Sequence, residues 1–161
     1  PDQGVRREVA RLQHDCGADG RAVPPANFHV TLAFLGMQDT GVIPAVCDIA
    51  STLSFEPCEV RLDRLGSFRR AGVLWLGASA VPEPLAAFQH DLVGALLEAG
   101  IGYDRKPWKL HLTLYRKLRT MPPTMDSVEV RWRLQGFSLV ESVSVNRGVV
   151  YHDIASWKAG R

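Results

Sequence analysis

Cysteine is scarce in this chain, and what there is has the wrong spacing for a framework. Cys16, Cys47 and Cys58 are the whole complement. An odd number without a CxxC pair supports neither a disulfide scaffold nor a zinc site, and reduced thiols in a cytoplasmic protein are the plain reading. Long apolar runs are missing too. None approaches the length of a membrane span, and no signal-peptide pattern opens the sequence. Charge of one sign is thin: a net +2 permits an anionic partner but not the dense basic patches of a duplex-DNA binder. Carboxylates do not cluster as a two-metal site requires. No linker or low-complexity segment divides the chain. What remains, 161 residues that are 46% hydrophobic, suits one domain with its own core.

Periodicity divides the chain into elements. Val5, Val9, Leu12 and Cys16 form one helical stripe, which Gly17 and Gly20 end. "RAVPPANFHVTLAFLG" reads as an extended piece, a Pro-Pro turn and a strand. Ile43, Val46, Cys47, Ala50 and Leu53 repeat at helical spacing, with Pro44 tolerable in the first turn. "CEVRLDRLGSF" alternates as a half-exposed strand, and "AGVLWLGAS" is apolar enough to be buried on both faces. Leu85, Phe88, Leu92, Ala95, Leu96 and Ala99 mark a longer helix that stops at Gly100. The strands "LHLTLYR", "VEVRWRL", "FSLVESV" and "GVVYHDIASW" complete an antiparallel set. Each half of the chain has a similar rhythm, which predicts an internal duplication of structure.

Within this frame one pattern recurs. "FHVTLAFLG" at 28–36 and "LHLTLYRK" at 110–117 both write His-x-Thr inside a strand-like run. Five His and six Thr give about 0.2 such pairs by chance in 161 positions. Strand side chains alternate with period two, so His29 and Thr31 share a face, as do His111 and Thr113. If the halves pack about a pseudo-twofold axis, the two faces line one cleft. Two imidazoles then offer proton transfer near neutral pH, and two hydroxyls offer donors to an oxyanion. A phosphodiester suits this set: one neutral histidine takes a proton from water, and a protonated one gives its proton to the departing ribose oxygen. Arg116, three residues after Thr113, falls on the opposite face of a regular strand and joins the site only if the strand end twists or bulges.

At these residues the chain resembles the two-histidine (2H) phosphoesterases, most closely the bacterial RNA 2′,3′-cyclic phosphodiesterases, also called 2′-5′ RNA ligases. "VPPANFHVTLAFLG" is similar to the first motif with its lead-in, and "PWKLHLTLYRK" to the second, with Arg116 at the arginine position. "LGSF", "VLWLG", "FSLVESV" and "VVYHDIASW" resemble the remaining strands. Two departures stand out: the family's usual first strand is missing before residue 1, and Lys109-Leu110 stands where a proline often precedes the second histidine. The resemblance implies a LigT-like α+β fold, one bilobal domain over residues 1–161, with two pseudo-symmetric lobes around a central cleft. Each lobe would be an antiparallel sheet with helices on its outer face.

The resemblance also implies hydrolysis of an RNA terminal 2′,3′-cyclic phosphate to a 2′-phosphomonoester, without metal or cofactor, with 2′-5′ ligation as the reverse reaction. His29 would be the proton donor, His111 the acceptor, and Thr31, Thr113 and Arg116 the phosphate ligands. The expected partner is RNA with such an end, or a related nucleotide; neither a membrane nor an obligate protein partner is expected, and the chain would act as a monomer. A non-catalytic RNA-end module and an enzyme for small cyclic nucleotides are the alternatives. A lone strand histidine is ordinarily a satisfied core or edge residue; two in matching contexts are not. His14, His90 and His152 lack a threonine partner and read as surface residues. Arg64, Arg69 and Arg70 around Phe68 form either an RNA-backbone site with a stacking base or a charged loop. Trp75 and Trp132 read as core, and Trp108 is a second candidate for base stacking.

Overall fold

The computed structural model describes residues 1–120, 122, 128–146 and 148–159. Its first helix, α1 (Gln3–Asp15), starts where the Asp2 carboxylate accepts from the Val5 N–H at 3.0 Å, supplying one of the donors that a helix start leaves open. Strands β1 (Arg21–Ala22), β3 (Arg64–Phe68), β4 (Val73–Gly77) and β5 (His111–Arg116) form a sheet in the order β1-β5-β4-β3. All of its pairings are antiparallel. β4 is buried at every position, as its unbroken apolar run predicts. Strands β2 (Cys58–Leu62) and β6 (Val130–Leu134) pair separately. Helices α2 (Ile43–Thr52) and α3 (Glu83–Glu98) and the long antiparallel hairpin β7 (Gly136–Val145) and β8 (Gly148–Lys158) make up the rest. Among the described residues, no helix is long and apolar enough to cross a membrane.

α3 stops at Gly100 for a backbone reason. Gly100 takes φ +72°, its N–H donates to the Leu97 carbonyl at 2.9 Å, and the Ile101 N–H reaches back to Leu96 at 2.8 Å. This is a Schellman ending, with Ile101 and Leu96 both buried beside it.

The chain folds as two units that do not coincide with its two halves. One comprises Pro1–Thr31, Glu59–Val81 and Lys109–Arg133; the other comprises Leu32–Cys58, Pro82–Trp108 and Leu134–Arg161. Both His-x-Thr motifs belong to the first unit, where the sequence rhythm had placed one in each half. In the second unit, Phe137 lies 4.7 Å from Phe88 and stacks at 5.1 Å on Trp157, whose Nε1–H donates to the Ser51 hydroxyl.

Two stretches differ from their expected form. "CEVRLDRLGSF" is not one strand but β2 and β3, in different sheets. It breaks at Asp63, whose N–H donates to the Gly77 carbonyl and whose carboxylate accepts from the Ser79 N–H and hydroxyl. The expected strand at 28–36 is a single antiparallel bridge, Val30 to Leu112. The chain does run beside β5 from Arg21, and the Val23 N–H still donates to Leu114. Pro24 and Pro25 then interrupt the ladder, because neither can donate, and residues Pro25–Asn27 turn as a short 3₁₀ segment before contact resumes.

Within the first unit, Trp75 fixes the shape of one sheet face. It pairs across the ladder with Gly66, and a Cβ at Gly66 would collide with its six-membered ring; one at Gly77 would come within 2.8 Å of Cζ3. The two glycines leave room for the indole to lie across the sheet. Gly66→Ala should therefore destabilise the protein by about 1–3 kcal/mol through overpacking. Gly94→Ala, inside α3 with nothing within 4 Å of the added carbon, should stabilise it by about 0.5–1 kcal/mol. Urea midpoints of the two variants check this pair, and a Gly66→Ala protein as stable as its parent would show that the indole does not occupy that space.

Candidate active site

β5 presents its residues as the alternation predicts. Leu112 and Leu114 are fully buried, while His111 and Thr113 are half-buried on the other face. The bridge from Val30 to Leu112 brings in the first motif. In an antiparallel register, the residues flanking a bridge lie opposite one another, on the face away from the bridged pair. His29 is therefore set opposite Thr113, and Thr31 opposite His111. Directly opposed residues have Cβ atoms roughly 4.5–5.5 Å apart. The local twofold axis of the pair relates His29 to His111 and Thr31 to Thr113, so the duplication expected of the whole chain is realised in this one contact.

The two imidazoles are held alike. His29 Nδ1 lies 2.7 Å from the Asn27 carbonyl oxygen, and His111 Nδ1 lies 2.8 Å from that of Lys109. A carbonyl can only accept, so each Nδ1 carries a proton and each Nε2 is the atom left for chemistry. The scaffolds behind the carbonyls differ. Asn27 is fixed by the prolyl turn, its N–H donating to Pro24 at 2.8 Å. Lys109 is fixed by its own side chain, whose Nζ sits 3.9 Å over the Trp75 ring.

Burial holds the His29 pKa below the ordinary histidine value; its bond to the Asn27 carbonyl opposes this, while the positive charges of Arg116 and His111 add to it. The ladder explains how Arg116 comes to the same face. Between β4 and β5 the register shifts: Trp75 faces Thr113 but Leu74 faces Tyr115. Leu114 is thus a bulged residue, Leu114 and Tyr115 are both buried, and the alternation resets, returning Arg116 to the face of His111 and Thr113. Gln13 secures the bulge. Its Nε2 donates to the carbonyls of Leu114 (2.6 Å) and Val23 (2.9 Å), and the Tyr115 hydroxyl donates to its backbone oxygen at 2.8 Å. Sequence reading missed Gln13, although a glutamine four residues after Val9 on an apolar stripe signals a buried polar contact.

Other expected residues separate by place. Phe68, 38% exposed, stands edge-on to His111 with ring centres 5.2 Å apart. Trp75 is buried as expected, yet it floors the same face, 6.2 Å from His111; Trp132 is buried on β6. Trp108 falls in the second unit. Arg64 is exposed at the start of β3, and Arg69 and Arg70 are exposed in the short turn after it. His14, His90 and His152 are exposed. A cavity of about 400 Å³ in the second unit is lined by Glu56, Glu83 and Asp91 among others, carboxylates that repel a phosphate. Among the described residues, no three His, Cys, Asp or Glu side chains converge to hold a metal ion.

Solved structures share this architecture. Escherichia coli LigT, crystallised with 3′-AMP, superposes with a TM-score of 0.88 over 98% of this chain and 92% of its own, at 23% identity, which defines the fold as LigT-like. Sequence comparison goes further. The family described as LigT like Phosphoesterase matches residues 1–75. An RNA 2′,3′-cyclic phosphodiesterase of Thermus thermophilus is 31% identical, over 81% of this chain and 71% of that protein. One from Archaeoglobus fulgidus is 27% identical over 95% and 93%. The chain belongs to the LigT-like phosphoesterase family, within its RNA 2′,3′-cyclic phosphodiesterases.

The direction of the His29 shift sets a pH dependence. In the folded protein His29 should titrate below its ordinary value near 6.5, as followed by NMR of its ring Cε1–H. The unfolded chain takes up that proton first as pH falls. The stability contribution is therefore fully present above about 6.5 and is lost as pH falls through the folded pKa. A midpoint at or above the ordinary value would contradict the desolvation of this half-buried ring.

Proposed function

We propose that this chain hydrolyses the 2′,3′-cyclic phosphate at an RNA end to a 2′-phosphomonoester and a free 3′-hydroxyl. The observation that carries the reading is the bridge of Val30 to Leu112, which sets two histidines and two threonines on one face. The relatives named RNA 2′,3′-cyclic phosphodiesterase supply the substrate class.

His111 Nε2 takes a proton from water as that water attacks phosphorus. The bond from phosphorus to the 3′-oxygen breaks, and His29 Nε2 gives its proton to the departing oxygen. Thr31 and Thr113 donate to the non-bridging oxygens, and Arg116 neutralises the charge that grows there. The donor role requires His29 to be protonated, against its tendency in the free protein. A bound phosphate anion offsets the positive charge of Arg116 and favours the imidazolium of His29 when it is needed. With a 5′-hydroxyl in place of water, the same step gives a 2′-5′ linkage: His111 takes the hydroxyl proton, the bond from phosphorus to the 3′-oxygen breaks, and His29 protonates that oxygen. Phe68, exposed beside His111, is the proposed platform for the terminal base. Trp108 is the other candidate for base stacking.

The experiment is incubation with an RNA carrying a 2′,3′-cyclic end, in chelator, with the product identified. Turnover should persist without metal and yield the 2′-phosphate. His29→Ala and His111→Ala should each lose about 10²- to 10⁴-fold. Thr31→Ala and Thr113→Ala should lose roughly ten- to a hundredfold, as for a hydrogen bond to a charged group, with Ser restoring much of it. Near-normal turnover in either histidine variant would remove that residue from the mechanism.

A further inference from the structure

Charge on the first unit is unevenly neutralised. On β2 and β6 two arginines are paired, Arg61 with Asp63 at 3.1 Å and Arg131 with Glu129 at 2.9 Å and Glu59 at 3.9 Å. On the histidine face they are not. Among the described residues, neither Arg64 nor Lys109 enters an ion pair, and both are exposed.

The ladder places Arg64 relative to the chemistry. Arg64 pairs with Gly77, and Gly77 pairs with His111. Directly opposed residues in antiparallel strands share a face, so Arg64 emerges on the side of His111, two strand spacings or roughly 10 Å away. The residue between them is a glycine, so no side chain rises in the gap. Its floor is the flat indole of Trp75, which occupies the space that side chains at Gly66 and Gly77 would fill. Over that indole, at 3.9 Å, stands the Lys109 ammonium, with the Phe68 ring centre at 5.8 Å. A cation parked on an aromatic face is held in position while its N–H donors stay available to an anion.

We propose that Lys109 and Arg64 form a second phosphate subsite, for the internucleotide phosphodiester next to the cyclic end. It lies outside the scissile-phosphate group of His29, Thr31, His111, Thr113 and Arg116. Two unpaired cations across an aromatic floor match the alternation of charge and flat bases along a single strand. The subsite gives the chain a means of preferring an RNA end over a free cyclic nucleotide, which carries no such diester. The inference rests on the proposed hydrolysis for its substrate, not for its geometry.

The test compares the parent with Lys109→Gln and Arg64→Gln on two substrates: a nucleoside 2′,3′-cyclic phosphate, and a short oligoribonucleotide ending in the same nucleoside and the same cyclic phosphate. Each substitution should lower kcat/KM on the oligonucleotide by about tenfold, the lower end for a hydrogen bond to a charged group. For Arg64→Gln the loss on the mononucleotide should be at least severalfold smaller; Lys109→Gln, whose side chain also anchors the carbonyl that holds His111, is read instead by its salt slope. The slope of log kcat/KM against log salt for the oligonucleotide should flatten by about 0.7 for each cation removed, the value for single strands. Equal losses on both substrates for Arg64→Gln, or no loss on the oligonucleotide and an unchanged salt slope in either variant, would overturn the subsite. If the parent cleaves neither substrate, the proposed hydrolysis fails. The subsite is then judged by equilibrium binding of the same RNA bearing a terminal 2′-phosphate, where unchanged affinity and salt slope in both variants would reject it.

Discussion

A single antiparallel bridge, between Val30 and Leu112, holds the two histidine motifs in register, and the proposed chemistry depends on it. Because the bridged residues sit on the local twofold axis, each histidine has its counterpart one residue before the axis and each threonine one residue after it. No long-range symmetry is needed to bring equivalent groups together. The burial of Leu112 and Leu114 keeps β5 from rotating, since a one-residue slip would exchange the apolar set for the histidines and threonines. The fixed register is thus maintained by the hydrophobic effect and sets the geometry of the proposed site.

Around this contact, small breaks in regular structure supply what a regular strand cannot. The Pro24-Pro25 turn lifts the first motif out of the ladder and leaves the Asn27 carbonyl facing His29. The Leu114 bulge turns Arg116 back to the histidine face, and Gln13 adds a second donor to the Leu114 carbonyl, which also accepts from Val23, and one to the Val23 carbonyl. The glutamine thus ties α1 to the strand at the point where the register shifts. Where the first motif uses proline rigidity, the second uses the Lys109 side chain on Trp75. The substitution of Lys109-Leu110 for a proline-containing lead-in therefore has a physical substitute in the same unit.

Much of this could be read in the sequence, and the parts that could not have definable reasons. Helix spacing in Val5, Val9 and Cys16, and the unbroken apolar run of β4, announced themselves because local burial alone determines them. The alternation in "LHLTLYR" placed His111 and Thr113 on one face correctly. The segment at 28–36 misled because apolar strand-like residues do not reveal that two prolines upstream have broken the ladder. Asp63 was invisible as a strand break, since its partner Ser79 is sixteen residues away. The units interleave, and no local pattern records which of three stretches will pack together. Lys109 and Trp75 were read separately, as a departure and as core; their meeting is a product of the Gly66 and Gly77 gaps, which a linear reading does not pair.

The most direct test of this account is a crystal structure of the chain with inorganic phosphate. The bridge register predicts one phosphate bound by both motifs, its oxygens about 2.7–3.2 Å from Nε2 of His29 and of His111 and within hydrogen-bond reach of both threonine hydroxyls. A phosphate held by one motif alone, with the other imidazole directed elsewhere, would contradict it.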